Sequence, residues 1–193
     1  MRLKPSLPIV SFESARDWEK WLAKHHARAS GVWLRISKKG SSKASVTYAE
    51  ALDEALCCGW IDSQKQAYDK SSWLQKFGPR KTASGWSKIN TGHAERLRKA
   101  GRMKPAGLKE IQAAKRDGRW KSAYDSPAAA SAPVDFLAAL ENNKKAKAFF
   151  AKLEKRNSYA IIYRLQTAKK PETRAARMRT ILEMLAKGKK FHP

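Results

Sequence analysis

Apolar residues change their spacing several times along this chain, and each change marks a new element. Pro8 to Phe12 is a short apolar run that predicts a strand. Ser14-Ala15-Arg16-Asp17 behind it has the spacing of a capping box with Asp in place of Glu, so a helix should start there. Trp18, Trp21, Leu22 and His25 follow at i, i+3, i+4 and i+7, one buried stripe, and Gly31 lies past the helix end. From Gly31 to Ser37 the period drops to two, with Val32, Leu34 and Ile36 alternating against Trp33, Arg35 and Ser37, as in a half-buried strand. Lys38 to Ser45 is a polar loop. Thr47-Tyr48-Ala49-Glu50 is a full capping box, opening a helix with Tyr48, Leu52, Ala55 and Leu56 on one face and Gly59 as its stop.

Trp60 to Tyr68 and Ser72 to Phe77 both have strand character, and Asp69-Lys70-Ser71 joins them into a β-hairpin in which Trp73, Gln75 and Phe77 share a face. Gly78-Pro79 should end the second strand, since proline cannot donate to a ladder. After the basic loop Arg80 to Gly85, a helical region begins at Trp86 with Ala94, Leu97 and Ala100, closed by Gly101. Another begins at Met103 and Pro105, with Leu108 and Ile111 on a face and Gly118 as its stop. Ser122 to Pro133 is small, Pro-containing and without periodicity, the composition of a linker. Four helical patterns complete the chain: Phe136, Leu137 and Leu140; Phe149, Phe150 and Leu153; Tyr159, Ile162 and Tyr163; then Ala175, Met178, Leu182 and Leu185 behind Pro171. The pattern predicts an α+β fold, a small mixed sheet with helices over residues 1–121, a linker at 122–133 and a basic C-terminal helical module at 134–193.

Charge changes the picture most. The 193 residues are 42% hydrophobic, enough for a core, but they carry 41 Lys plus Arg against 17 Asp plus Glu, a formal charge of +24. Such a field gathers polyanions, whether nucleic acid, an anionic surface or an acidic protein partner, without selecting among them. The C-terminal module is the more basic part per residue, with 15 Lys plus Arg and 5 Asp plus Glu in residues 134–193. The N-terminal stretch MRLKPSLPIVSFES shows no continuous apolar region, and no segment is long enough to span a bilayer, so a cytoplasmic location is expected. Cys57 and Cys58 are adjacent, which disfavours an ordinary disulfide and lacks the spacing of a zinc site.

Catalytic chemistry finds little support. His25 and His26 point in different directions on a helix, and His93 and His192 are isolated, so there is no i, i+4 metal pair. There is no nucleophile elbow and no dinucleotide-binding glycine pattern, and no cofactor is expected. Binding constellations are more numerous. Arg80, Lys81, Ser84, Ser87 and Lys88 run into a helix start, where free N–H groups and the helix dipole favour an anion; the plainer alternative is that a serine caps the helix and the cations are solvated. Trp60, Asp62, Trp73, Trp86 and Asn90 could line a pocket for a flat ligand, or be core tryptophans with a structural acid. Lys169, Lys170, Arg174, Arg177 and Arg179 surround the start of the last helix, a clamp for phosphates or a solvated basic face. Cations at a helix N-terminus oppose its dipole, and Glu172 only partly corrects this.

Several of these stretches form an ordered series. Leu56-Cys57-Cys58-Gly59-Trp60-Ile61-Asp62, Pro79-Arg80, Trp86-Ser87-Lys88-Ile89-Asn90, Gly101-Arg102-Met103 with Ala106-Gly107, and Gly118-Arg119-Trp120 resemble the successive signatures of the bacterial YdeI/OmpD-associated family. Tyr163 to Arg174, reading YRLQTAKKPETR, resembles its C-terminal bacteriocin-protection segment. The resemblance implies a mostly cytoplasmic, stress-associated protein, linked in some members to tolerance of cationic antimicrobial peptides and to an outer-membrane porin. It carries no catalytic residues over. The leading expectation is thus a non-enzymatic binding protein of the stress or peptide-tolerance kind. The alternatives are nucleic-acid binding through the basic surface, and a small-ligand or enzymatic role at a Trp60/Asp62 pocket.

Overall fold

The computed structural model describes residues 7–193; the first six, part of the N-terminal stretch read for an export signal, lie outside the described residues. The chain forms two compact units. The first is residues 7–84 with His93–Ala113, and the second is Gly85–Gly92 with Ala114–Pro193. Among the described residues there are eight helices and one four-stranded mixed sheet, which is the α+β class that the changing hydrophobic periods predict.

In the first unit the elements are β1 (Ile9–Val10), α1 (Ala15–His25), β2 (Val32–Ser37), α2 (Tyr48–Cys57), β3 (Trp60–Ala67) and β4 (Ser72–Pro79). The strand order is β1-β2-β4-β3, with β1 parallel to β2 and the other neighbours antiparallel. Val32, Leu34 and Ile36 lie opposite Phe77, Gln75 and Trp73, so the expected face of β4 continues the apolar face of β2. The register slips between Asp62 and Lys65, a bulge that takes Gln64 out of the ladder. The buried Gln75 compensates, its Nε2 donating to the Gln64 carbonyl at 3.1 Å. β4 (Ser72–Pro79) includes Gly78-Pro79 and so runs two residues beyond Phe77, the predicted strand end. Pairing with β2 begins at Phe77, and only Ile61 and Trp60 of β3 pair with Gly78 and Pro79, so one side of the strand end is free of a ladder and tolerates a proline.

Both predicted caps form. The Ser14 hydroxyl accepts from the Asp17 N–H at 3.3 Å, and Thr47 and Glu50 make the reciprocal capping box. Trp18 and Leu22 of α1 are buried, but His25 is exposed at the outer end of the stripe, its ring stacked 4.7 Å from Trp21. Tyr48 is likewise exposed and not on the core face of α2. The core centres on Trp18, whose ring lies 5.8 Å from Phe77 and 6.3 Å from Trp60. The helices α3 (Lys88–Lys99) and α4 (Pro105–Arg116) follow. α3 starts two residues later than Trp86, because Ser87 caps it by accepting from the Asn90 N–H at 3.1 Å. In α4, Gly107 lies so close to the end of α2 that a Cβ there would overlap the Cys57 carbonyl oxygen and sit 2.7 Å from that of Leu56.

In the second unit the Trp86 ring packs on Trp120 at 4.8 Å. Ser87 and Tyr124 form a parallel bridge, with Tyr124 N–H donating to the Trp86 carbonyl at 3.0 Å and Lys88 N–H to the Tyr124 carbonyl at 2.8 Å. Four helices complete it: α5 (Val134–Glu141), α6 (Lys144–Phe150), α7 (Lys155–Gln166) and α8 (Pro171–Ala186). Phe136, Leu140, Ala146, Ile161, Leu165, Ile181 and Leu185 are its buried centre. The predicted stripes hold in outline, but Leu137 and Ala175 are exposed. The buried face of α7 is Ala160, Ile161, Ile162 and Leu165, which rotates Tyr159 and Tyr163 to a half-buried position. No helix among the described residues is long and apolar enough to cross a membrane.

Candidate functional site

That rotation of α7 opens a concavity in the second unit. Residues four apart on a helix stand one above the other. α7 therefore presents Lys155, Tyr159 and Tyr163 in one row and Arg156, Ala160 and Arg164 in the next, and both rows open into a cleft of about 610 Å³ completed by Tyr124, Pro127 and His192. The Tyr124 and Tyr163 rings meet edge to face at 4.8 Å, whereas Tyr159 and Tyr163 lie 6.2 Å apart, inclined at 46°. The Tyr159 hydroxyl donates to the Asp125 carbonyl at 3.0 Å, which fixes its ring. Burial, then the neighbouring Tyr124 and Tyr163, push its pKa above the ordinary phenol value, so it stays neutral. Arg164 is anchored by donating to the Ala160 carbonyl at 2.9 Å and lying 3.8 Å over the Phe191 ring. Among the described residues no acidic side chain lines the cleft. At its other end, Glu154 at the N-cap of α7 makes no side-chain capping bond, and Lys155 and Arg156 are exposed.

The residues nominated from the sequence are distributed differently. Arg80, Lys81 and Ser84 belong to the first unit and Ser87 and Lys88 to the second. Arg80 is nearly buried, its N–H donating to the Gly59 carbonyl at 3.1 Å; the Lys81 N–H donates to the Ser84 hydroxyl at 3.1 Å while its side chain is exposed. Ser87 is the cap of α3, and the Lys88 ammonium pairs with Asp125 at 2.9 Å. Trp60, Asp62 and Trp73 likewise lie in the first unit and Trp86 and Asn90 in the second. Trp60 is 1% exposed, with its indole N–H donating to the His26 carbonyl at 3.0 Å. Asp62 accepts from the Tyr48 hydroxyl at 3.0 Å, and Trp73 carries the Lys65 ammonium 4.2 Å from its ring centre. Trp73 also borders a cleft of about 460 Å³ with Lys38, Lys39 and Lys65. Around the start of α8, Arg174 pairs with both oxygens of Asp135 at 2.9 and 2.7 Å, and Arg177 donates to the Arg164 carbonyl at 2.6 Å. Lys169 lies 3.7 Å from Asp117, and Lys170 and Arg179 are exposed.

Residues 10–110 match the family model described as a domain of unknown function (DUF8412), which spans more than half of the chain. Residues 129–188 match the model described as Bacteriocin-protection, YdeI or OmpD-Associated. The chain belongs to the DUF8412 family and carries a YdeI/OmpD-associated, bacteriocin-protection segment. No curated protein and no solved structure matches it. The bacteriocin-protection segment contains α7 whole, and with it every cation of the tyrosine cleft; Tyr124, Pro127 and His192 complete the lining from outside the matched residues.

The DUF8412 region holds the cysteines and a cluster of paired charges. Asp53 accepts from Arg96 at 2.7 Å and lies 3.2 Å from the His93 ring nitrogen, and Arg102 pairs with the buried Glu54 beside it. Burial, then Glu54, pushes the Cys57 thiol up to about 12, and burial pushes Cys58 up to about 11, so neither is a thiolate at neutral pH. Among the described residues no group of three or more His, Cys, Asp or Glu is arranged to hold a metal ion. Sequence reasoning missed the tyrosine cleft because Tyr159 and Tyr163 fit a core stripe with Ile162. The signal that could have found it is the pair of cations Lys155-Arg156 placed four residues before Tyr159 and Ala160, and again Arg164 beside Tyr163.

Proposed function

We propose that this protein contributes to tolerance of bacteriocins and cationic antimicrobial peptides as a non-enzymatic, stress-associated binding protein of the cytoplasm. The observation that carries the reading is that the bacteriocin-protection segment builds a cleft of aromatic faces and cations on α7. Such a lining suits binding: rings give contact area and cations give charge selection. A chain of formal charge +24 repels a cationic peptide, so its counterpart is the anionic target that the peptide also seeks. Exposed cations such as Lys81, Lys170 and Arg179 add to that field. Protection then arises from occupancy of shared anionic sites.

The test is genetic. Removing the gene should lower survival under cationic peptides and leave survival under uncharged antimicrobials unchanged, and expression of the intact chain should restore it. Equal survival of the deletion and parent strains across several cationic peptides would overturn the reading.

A further inference from the structure

The face of α7 that opens into the cleft has a polarity along its axis. It starts with Lys155 and Arg156, continues one turn later with Tyr159 over the small Ala160, and ends with Tyr163 and Arg164. Four residues advance about 6 Å along a helix, so a group held at the start of α7 places what it carries at the level of the tyrosines. At that start stand two exposed cations and a helix N-terminus without a side-chain cap; its N-cap residue, Glu154, is exposed and is not part of the cleft lining, which among the described residues holds cations and no carboxylate. Among the described residues neither Lys155 nor Arg156 is engaged in an ion pair, in contrast to Lys88 and Arg174 of the same unit. Further in, Tyr159 is fixed by Asp125 and does not stack on Tyr163, which leaves aromatic surface facing the cleft.

We infer that this cleft binds a nucleotide unit, with its phosphate at the start of α7 on Lys155 and Arg156 and its base against Tyr159 and Tyr163. Base–aromatic stacking beside a cationic track is the chemistry by which proteins hold unpaired nucleotides, and it needs no hydrogen-bond code because every base has a flat face. An acidic peptide would use the cations and leave the rings without a flat partner. The same chemistry is offered by a free nucleotide and by a unit of a single strand. The inference rests on the cleft being the binding element of the protective function proposed above.

The experiment uses the full chain at about 0.15 M salt, where the general basic field is screened beyond roughly 8 Å. Adenosine monophosphate, inorganic phosphate and an eight-nucleotide single-stranded RNA are titrated by calorimetry and fluorescence anisotropy, against wild type, Tyr163→Phe, Tyr163→Ala and Arg156→Glu, with circular dichroism as the folding control. The nucleotide should bind at least about tenfold more tightly than phosphate, Tyr163→Phe should keep that affinity, and Tyr163→Ala should lose about tenfold. Arg156→Glu, an exposed change that leaves the fold intact, should weaken phosphate and nucleotide alike. Tighter binding of the RNA than of the mononucleotide identifies a strand as the source, and equal binding identifies a free nucleotide; both bear the inference out. Phosphate binding as tightly as nucleotide, an acidic peptide displacing the nucleotide, or variants indistinguishable from wild type would overturn it. If nucleotide binds as expected but Tyr163→Ala restores peptide tolerance fully in the deletion strain, the ligand stands and the protective role of the cleft falls. If nucleotide fails to bind while the deletion strain is still peptide-sensitive, the protective role stands and the ligand falls.

Discussion

Arg174 donates to both oxygens of Asp135 and to the carbonyl of Leu165, and Arg177 donates to the carbonyl of Arg164 and the hydroxyl of Thr167. Leu165 and Arg164 lie in the last turn of α7, so the arginines that oppose the dipole of α8 donate to carbonyls at the negative end of its neighbour. Sequence spacing shows only the first of these helices, which is why the arrangement looks frustrated along the chain. The Arg174 guanidinium in turn lowers the pKa of Asp135. Arg174→Ala should cost about 1–3 kcal/mol in chemical denaturation, the loss of charge-assisted hydrogen bonds to a carboxylate and a carbonyl. Arg174→Lys should recover only part, since an ammonium cannot reproduce a two-pronged contact. The cysteines give a simpler expectation. With thiols at about 12 and 11, the native chain should leave Cys57 and Cys58 unmodified by a disulfide reagent at pH 7, and both should react in denaturant. Rapid labelling of the folded chain would contradict their burial.

At the scale of elements, glycines in two neighbouring helices behave oppositely. Gly107 of α4 leaves no room for a Cβ against Cys57 and Leu56, and Gly107→Ala should destabilise by about 1–3 kcal/mol. Gly92 lies inside α3 with open space around it, and Gly92→Ala should stabilise by about 0.5–1 kcal/mol through helix propensity. Paired denaturation curves decide both. The β3–β4 hairpin depends on Asp69: the Ser72 hydroxyl, then the backbone N–H groups of Ser71 and Ser72 and the Ser71 hydroxyl, hold its carboxyl down at about 2 from 3.8, and Arg35 pairs with it at 2.8 Å. A carboxyl depressed in the folded state stabilises it above the ordinary value, and the advantage disappears as the pH falls from about 4 through about 2. Wild type should therefore lose melting temperature over that window, and Asp69→Asn should lose less. The caps at Ser14 and Thr47, the alternation of β2 and the hairpin turn were legible because each is a local pattern with a fixed spacing. The bulge at Asp62–Lys65 was not, since it depends on which residue of β4 faces each residue of β3. Tyr124 was unreadable for the same reason: its partners Trp86 and Ser87 lie more than thirty residues away.

For the molecule as a whole, charge predicts behaviour without predicting a ligand. Binding to any polyanion should weaken steeply between about 50 and 200 mM salt, because each neutralised phosphate releases a counterion. The part that survives at high salt belongs to rings and shaped contacts, and its retention in Arg156→Glu relative to Tyr163→Ala separates the field from the cleft. The +24 charge was legible from composition alone, whereas the cleft emerges only when α7 is rotated by the packing of Ile161 and Leu165.

The second unit takes Gly85–Gly92 from the middle of the chain, far from its other residues in sequence order. This has a bearing on how the two matched regions can be shuffled. A gene fragment beginning after residue 121 would lack both Trp86 and Trp120, and would leave the Tyr124 backbone without its bridge to Ser87. Such a fragment should be produced in poor yield or aggregate, while one beginning at Gly85 keeps these partners. A fusion that grafts the bacteriocin-protection segment together with Tyr124 should therefore be better produced when it also carries residues 85–92, which supply the Ser87 bridge and the Trp86 ring.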